Sequence, residues 1–357
     1  MRPDARPGRG APENRTPTRF NLASREADGD WLDERQEIDG APPPLRTTVT
    51  VEHPKTIITR NASPDIGFDR SINAYRGCEH GCVYCFARPT HAFHDLSPGL
   101  DFESKLFAKP DAAKLLRAEL GKKGYQVRPI ALGTNTDPYQ PIEGEWRITR
   151  AILEVLAETK HPVTITTKSD RVLIDIDLLA AMAKEGLASV ALSVTSLTPA
   201  IARTLEPRAP APRKRLAAVK ALGEAGVPAW VSIAPVVPGI TDHELEQIVE
   251  AAAEAGAVGC FYLPVRLPFE VAPLFRAWLD EHFPERAGKV MAIINEIRGG
   301  KDNDPNFFTR MRGQGPWAAL LKARFERAVR KHGLNVEKKP LRTDLFEPPQ
   351  GAQLRLL

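Results

Sequence analysis

The stretch Cys78-Glu79-His80-Gly81-Cys82-Val83-Tyr84-Cys85 decides how the rest of the chain is read. Three of the four cysteines in 357 residues fall inside it, and the fourth is Cys260. An odd, tightly spaced cluster in so cysteine-poor a chain is not a disulfide framework. Three thiolates from one loop can hold three corners of an iron–sulfur cube. Such a cube ordinarily takes four cysteines, so one iron is left open to an external molecule. An open metal position is what separates a catalytic site from a structural one. Zinc is the rival: His80, His91 or His94 could complete a Cys3His set. Structural zinc usually draws two separated pairs of ligands, and no second pair follows here.

Composition sets the frame. The chain is 42% hydrophobic and 26% charged, enough for a substantial core under a soluble surface. No apolar run reaches the roughly 20 residues that span a bilayer, so no membrane partner is expected. The amino terminus has arginines but no apolar h-region, so it does not read as a secretory signal. Reduced thiols favour the cytoplasm. A net charge of +4 permits a polyanionic partner without arguing for one.

Residues 1–45 are rich in Arg, Pro, Gly, Asp and Glu, and read as a disordered tail. Thr47-Thr48-Val49-Thr50-Val51 suits a short strand entering the core. From Ile72–Tyr75 onward, strand-like and helix-like segments alternate. Strands are expected at 128–133, 163–168, 190–195, 229–235 and 259–264. Helices are expected at 112–120, 146–159, 177–185, 213–225 and 242–255. Gly186, Gly226 and Gly256 sit just past three of them, and Asp242 reads as an N-cap. Consecutive βα units imply a parallel sheet with right-handed crossovers. Six strands are too few for a closed eight-stranded barrel. Ligands gather at the carboxyl ends of such strands, where the cysteine loop also belongs. Residues 46–300 form this core, and 301–357 a basic carboxyl-terminal extension with a helix at 317–331. Trp317, Leu320, Leu321, Phe325 and Ala328 are that helix's expected buried stripe, with Lys322, Arg324, Arg327, Arg330 and Lys331 on its basic side.

The pattern Cys-x3-Cys-x-aromatic-Cys, with Tyr84 at the aromatic position, resembles the signature of the radical SAM superfamily. The longer run Tyr75-Arg76-Gly77-Cys78 through Cys85-Phe86-Ala87-Arg88-Pro89 is similar to its spore photoproduct lyase-like branch, and the likeness extends more weakly to about residue 265. The resemblance implies a partial (β/α)6 barrel and a [4Fe-4S] cluster on Cys78, Cys82 and Cys85. It also implies S-adenosylmethionine on the unique iron, an electron donor such as a flavodoxin or ferredoxin, and a 5′-deoxyadenosyl radical driving lyase- or oxidoreductase-type chemistry. It places Tyr84 beside the adenine, Phe86 near substrate, and Thr134 and Asn135 at the methionine amino group.

Other site residues are read from position. Gly133 lets backbone approach a ligand. Lys168, at a strand end, could pair a carboxylate as a point charge, as its family counterpart does. Ser193 and Thr195 alternate with Leu192 and Val194 and share one face, towards ribose or carboxylate; equally, their hydroxyls could bond neighbouring backbone. Arg208 is a further carboxylate candidate. The lyases carry a donor cysteine about where this chain has Gly133, which puts their thymine-dimer reaction in doubt here. Asp137 or Tyr139 would then be the candidate proton or hydrogen donor. Nucleic acid is a possible partner through the basic, aromatic-flanked region that runs from Phe307 into the helix at 317–331, so lesion repair or modification is one alternative. A non-catalytic zinc or iron–sulfur module is the other.

Overall fold

The computed structural model describes residues 8–15, 17, 45–336 and 339–349. The expected disordered tail therefore lies mostly outside the described residues. The part that is described, 8–15, packs against the cysteine loop.

The main sheet has seven strands in the order β10-β9-β8-β7-β6-β3-β2. Six are mutually parallel: β3 (Arg70–Ile72), β6 (Ile130–Leu132), β7 (Val163–Thr167), β8 (Ala188–Ser193), β9 (Ala229–Val236) and β10 (Gly259–Pro264). The two-residue β2 (Thr59–Arg60) adds antiparallel to β3. This is the partial α/β barrel that the alternation implies. On one face Ile130, Leu132, Val163, Ile165, Val190, Leu192, Val231 and Ile233 form a core against the surrounding helices. Strand alternation turns the intervening small and hydroxyl residues, such as Thr164, Thr166, Ala191, Ser193 and Ser232, to the inner face.

Helices Ala112–Leu120, Ile148–Glu158, Ile176–Lys184 and Pro212–Glu224 fall where the apolar periodicity puts them. Gly186, Gly226 and Gly256 take φ of 74°, 79° and 79° just past the helix ends. Asp242 is not a cap. Its carboxylate accepts the Gly239 N–H at 2.8 Å, and a 3-10 turn, Asp242–Glu244, precedes the helix Leu245–Glu254.

Two strand expectations are corrected. Ile72–Tyr75 is not one strand: β3 stops at Ile72, and Tyr75–Arg76 (β4) joins a second, three-stranded sheet of order β1-β5-β4. At the break the Asn73 carboxamide accepts the Asn135 and Thr136 N–H groups, at 3.0 and 3.3 Å. The strand Thr48–Val51 (β1) does not enter the core. It is largely exposed and pairs with Lys105–Ala108 (β5) in that second sheet.

Two helices, Val271–His282 and Pro284–Ile297, follow the last strand. They bury Val271, Phe275, Trp278 and Ile294 in a cluster that includes Cys82, Val83 and Tyr84. The carboxyl-terminal helix Gly315–Lys331 buries Ala318, Leu321, Phe325, Ala328 and Val329. Leu320, expected in that stripe, is 59% exposed, because the contact face is centred on Leu321 and Phe325. Arg324 on the basic side pairs with Glu246 at 2.6 Å. No helix among the described residues is long and apolar enough to cross a membrane.

Candidate iron–sulfur and cofactor site

The cysteine loop leaves β4 and is tied to its surroundings by backbone. Cys78 N–H donates to Phe102 C=O at 2.9 Å and Val83 N–H to Leu205 C=O at 3.1 Å. Gln140, in the loop after β6, accepts the Glu79 N–H at 3.0 Å and donates to Gly77 C=O at 3.2 Å. The loop thus sits at the carboxyl end of β6. Cys78 and Cys82 are buried, Cys85 is half-buried, and all three are free thiols. Burial pushes the Cys82 thiol up to about 12, with Lys168 opposing and Glu206 adding to the rise. A thiol in that state ionises only when a metal takes the proton's place.

These donors fit a cube better than a single ion. Among the described residues no three His, Cys, Asp or Glu side chains close on one point as a lone metal ion requires. A cube binds each thiolate to a different iron. Of the zinc alternative's histidines, His80 has its Nδ1 facing Asp137 at 3.3 Å and His91 its Nε2 facing Lys105 C=O at 2.8 Å. Cys260, the remaining cysteine, is buried in β10 as part of the helix-facing core.

On the barrel side of the loop lies a charged network. The Tyr84 hydroxyl donates to Glu206 Oε1, which also accepts Thr195 Oγ1 at 2.7 Å. Glu206 Oε2 pairs with Arg215 at 2.5 Å, and both side chains are fully buried. Arg215 also donates to Ser193 C=O at 3.0 Å and Pro210 C=O at 2.7 Å. The Lys168 ammonium stands 5.7 Å from the centre of the Tyr84 ring. Burial alone would raise the Glu206 carboxyl. Arg215, Lys168 and the two hydroxyls outweigh it and hold the group at about 2, fully ionised. Tyr84, Lys168, Ser193 and Thr195, chosen from sequence, are therefore brought together. Glu206 and Arg215, which organise them, were not among the candidates. The only local signal was a charged pair, Glu206 and Arg208, around Pro207, of which only Arg208 stood among the candidates.

The other candidates are placed as follows. Arg208 is held at the loop's edge, donating to Glu79 Oε1 at 3.0 Å. Thr134 Oγ1 lies 3.3–3.4 Å from the Asn73 carboxamide, which also fixes the backbone of Asn135. Gly133 has φ of 83°, and a Cβ there would stand 1.9 Å from Thr166 C=O. No side chain, a cysteine included, fits that position without moving β7. Asp137 accepts from Thr167 Oγ1, the Lys168 N–H and the Tyr139 N–H at 2.6–2.9 Å. Burial opposes its charge, but His80 and these donors hold it down at about 2, so it clamps the loop and has no proton to give near neutrality. Tyr139 is fully buried and donates to Asp175 at 3.0 Å. The Asp137 charge also raises the Cys78 thiol, after burial, while its backbone bond opposes that rise. Phe86 is 47% exposed at the mouth, with the Arg266 guanidinium 5.1 Å from its ring centre. Arg266 lies two residues past the run read as the last strand, and only contact reveals it.

A family model described as the Radical SAM superfamily matches residues 72–252, about half of the chain. An uncharacterized protein of Mycobacterium bovis is 39% identical over 228 residues, covering 63% of this chain and 67% of that one. An uncharacterized protein of Methanocaldococcus jannaschii is 28% identical over 214 residues, covering 60% and 76%. Among solved structures, spore photoproduct lyase complexed with dinucleoside spore photoproduct matches with a TM-score of 0.57 at 15% identity, covering 87% of this chain and 85% of that one. A double mutant of the lyase with bound AdoMet and dinucleoside spore photoproduct matches with a TM-score of 0.56 at 14% identity over the same shares. At such identities the likeness establishes the fold alone.

Proposed function

The chain belongs to the radical SAM superfamily, and from that membership we propose that it is an enzyme holding a [4Fe-4S] cluster on Cys78, Cys82 and Cys85, with S-adenosylmethionine at the open iron. The family's cofactors are this cluster and S-adenosylmethionine. When bound, they supply reductive cleavage of the sulfonium and a hydrogen-abstracting radical. The observation that carries the reading is one loop with three free thiols, at the carboxyl end of a parallel strand, beside an ordered set of polar side chains.

The protein's own share is holding and excluding. Glu206 and Arg215 fix Tyr84 beside the loop, and Lys168 offers a cation for a carboxylate. Thr134 and Asn135 present polar groups beyond β6, Ser193 ends β8, and Thr195 follows it with its hydroxyl on Glu206. The apolar helices 271–282 and 284–297 shut water out behind Cys82. A small, acidic electron carrier of the flavodoxin or ferredoxin kind fits as the reductant. With Gly133 unable to carry a thiol, the lyase's donor is not reproduced at that position.

Anaerobic reconstitution tests the assignment. About four irons and four sulfides per chain, with 5′-deoxyadenosine formed on reduction, are expected. Cys82→Ala should abolish both. One tightly held zinc, or an iron-replete C82A variant, refutes the assignment. A second reading, that the substrate is a nucleic acid, draws on the mouth. There the exposed Phe86, Phe307 and Phe308 stand near Arg266 and Arg310, each arginine over one of those rings. Binding of single-stranded oligonucleotide that weakens steeply with salt supports it, and salt-independent binding counts against it.

A further inference from the structure

The segment Gly8–Arg15 lies across the outer side of the cysteine loop, and its bonds converge on one buried carboxylate. Gly10 N–H donates to Glu103 Oε2 at 2.9 Å and Ala11 N–H to Glu103 Oε1 at 2.7 Å. Arg9 donates to Glu103 C=O at 2.7 Å, to Leu45 C=O at 2.6 Å and to Thr47 Oγ1 at 3.2 Å. Further along, Arg15 and Ser97 exchange bonds of 2.8 and 3.0 Å. Glu103 Oε1 also takes Arg88 at 2.6 Å, with both side chains fully buried. The other four N–H groups of Arg88 reach Cys82, Pro98, Gly99 and Gly81 C=O at 2.9–3.2 Å, so every donor is used. The fit is also steric. A Cβ on Gly10 would stand 1.5 Å from Gly81 C=O, and one on Gly99 would stand 2.1 Å from Glu13 C=O. Ala11 packs with Leu100 and Leu274.

We propose that residues 8–15 are a strap belonging to the cluster site, which holds the Gly81–Cys82 peptide through Glu103 and Arg88 and closes that side of the loop to water. The inference rests on the cluster reading above, since a sealed loop matters because solvent access governs how a cluster is retained and tuned. The strap comes from an Arg-, Pro- and Gly-rich stretch. Two amides, a guanidinium and the missing side chain of Gly10 are what it contributes.

The test is made on the full chain, with and without iron. Gly10→Val lifts the strap without touching Glu103, and Arg9→Ala removes three of its bonds. In both, the amides of Gly81, Val83 and Cys85 should exchange hydrogen at least tenfold faster in the iron-free chain, while those of β8 stay unchanged. In the iron-loaded chain, chelator should remove iron at least tenfold faster than from the wild type. Unchanged loop exchange in both variants overturns the strap, whatever the iron content. Faster loop exchange in the variants, together with a wild-type chain that takes up no iron on reconstitution, leaves the strap standing and overturns the cluster reading instead.

Discussion

On its outer side the cysteine loop rests on Arg88 and Glu103; on its barrel side it rests on Arg215 and Glu206. Both are arginine–glutamate pairs with no solvent exposure, and burying a charged pair costs more than it returns unless every remaining donor and acceptor is met. They are met differently. The outer pair is closed by backbone: four carbonyls on Arg88, two amides on Glu103. Backbone partners cannot leave without moving the chain. The inner carboxylate is met mainly by side chains, the hydroxyls of Tyr84 and Thr195, with a lysine nearby. Hydroxyls rotate and exchange partners, so this pair can answer to a ligand. The same chemistry builds a wall on one side and a receptive surface on the other.

The comparison is most exposed to paired apolar replacement. Arg88→Met with Glu103→Leu strips partners from four carbonyls and two amides. We expect a loss of about 5 kcal/mol or more, at roughly 1–3 kcal/mol per orphaned group, read as a collapse of the urea midpoint. A stable outer double variant would end the distinction.

Acidity should separate the two sides with an intermediate effect. On the outer side, burial, with His94 and Arg88 adding to it, pushes His91 down to about 4 from 6.5, against its bond to Lys105 C=O. Below pH 6.5 the unfolded chain takes a proton that the folded chain refuses. That stability is complete above 6.5 and is lost as pH falls towards 4, by up to about 3 kcal/mol. Glu206, held at about 2 against an ordinary 4.5, keeps its contribution until pH falls below 4.5 and loses it towards 2. In thermal melts across pH, His91→Gln should flatten the upper window only and Glu206→Gln the lower only. A single shared window would show the sides to be coupled.

A smaller effect than at the outer pair is expected for Arg215→Met with Glu206→Leu, which removes both inner charges together but leaves two carbonyls, Ser193 and Pro210, without that donor. At roughly 1–3 kcal/mol for each carbonyl, with the hydroxyls free to turn to other partners, stability should fall by less than for the outer double variant. S-adenosylmethionine binding, followed by calorimetry on the iron-loaded protein, should weaken all the same. Binding that survives unchanged would make the inner pair as structural as the outer.

Much of the fold was legible in the sequence, for a reason visible in particular segments. Helix Ala112–Leu120 and strands β7 to β10 carry apolar periods that depend only on their own residues. The split at Asn73 was not legible, since the carboxamide there bonds amides some sixty residues away. Helix Val271–His282 has a readable stripe, yet only packing shows that the stripe lies against Cys82 and Tyr84. At the site, the thiols and hydroxyls announced themselves by spacing and alternation. Glu103, Glu206, Arg88 and Arg215 did not, since a charged residue in a polar stretch looks the same whether it faces water or another charge.

The order of residues by itself determined the three-thiol loop, the βα rhythm and the absence of a side chain at position 133. Each is local, a matter of residue type and of period along the chain. Only the tertiary structure decided that the strap at 8–15 reaches the loop, that Asp137 is a clamp, and which glutamate meets which arginine. Those outcomes depend on desolvation and on bonds between groups far apart in sequence, and burial, which gives such bonds their strength, exists only once the chain has folded.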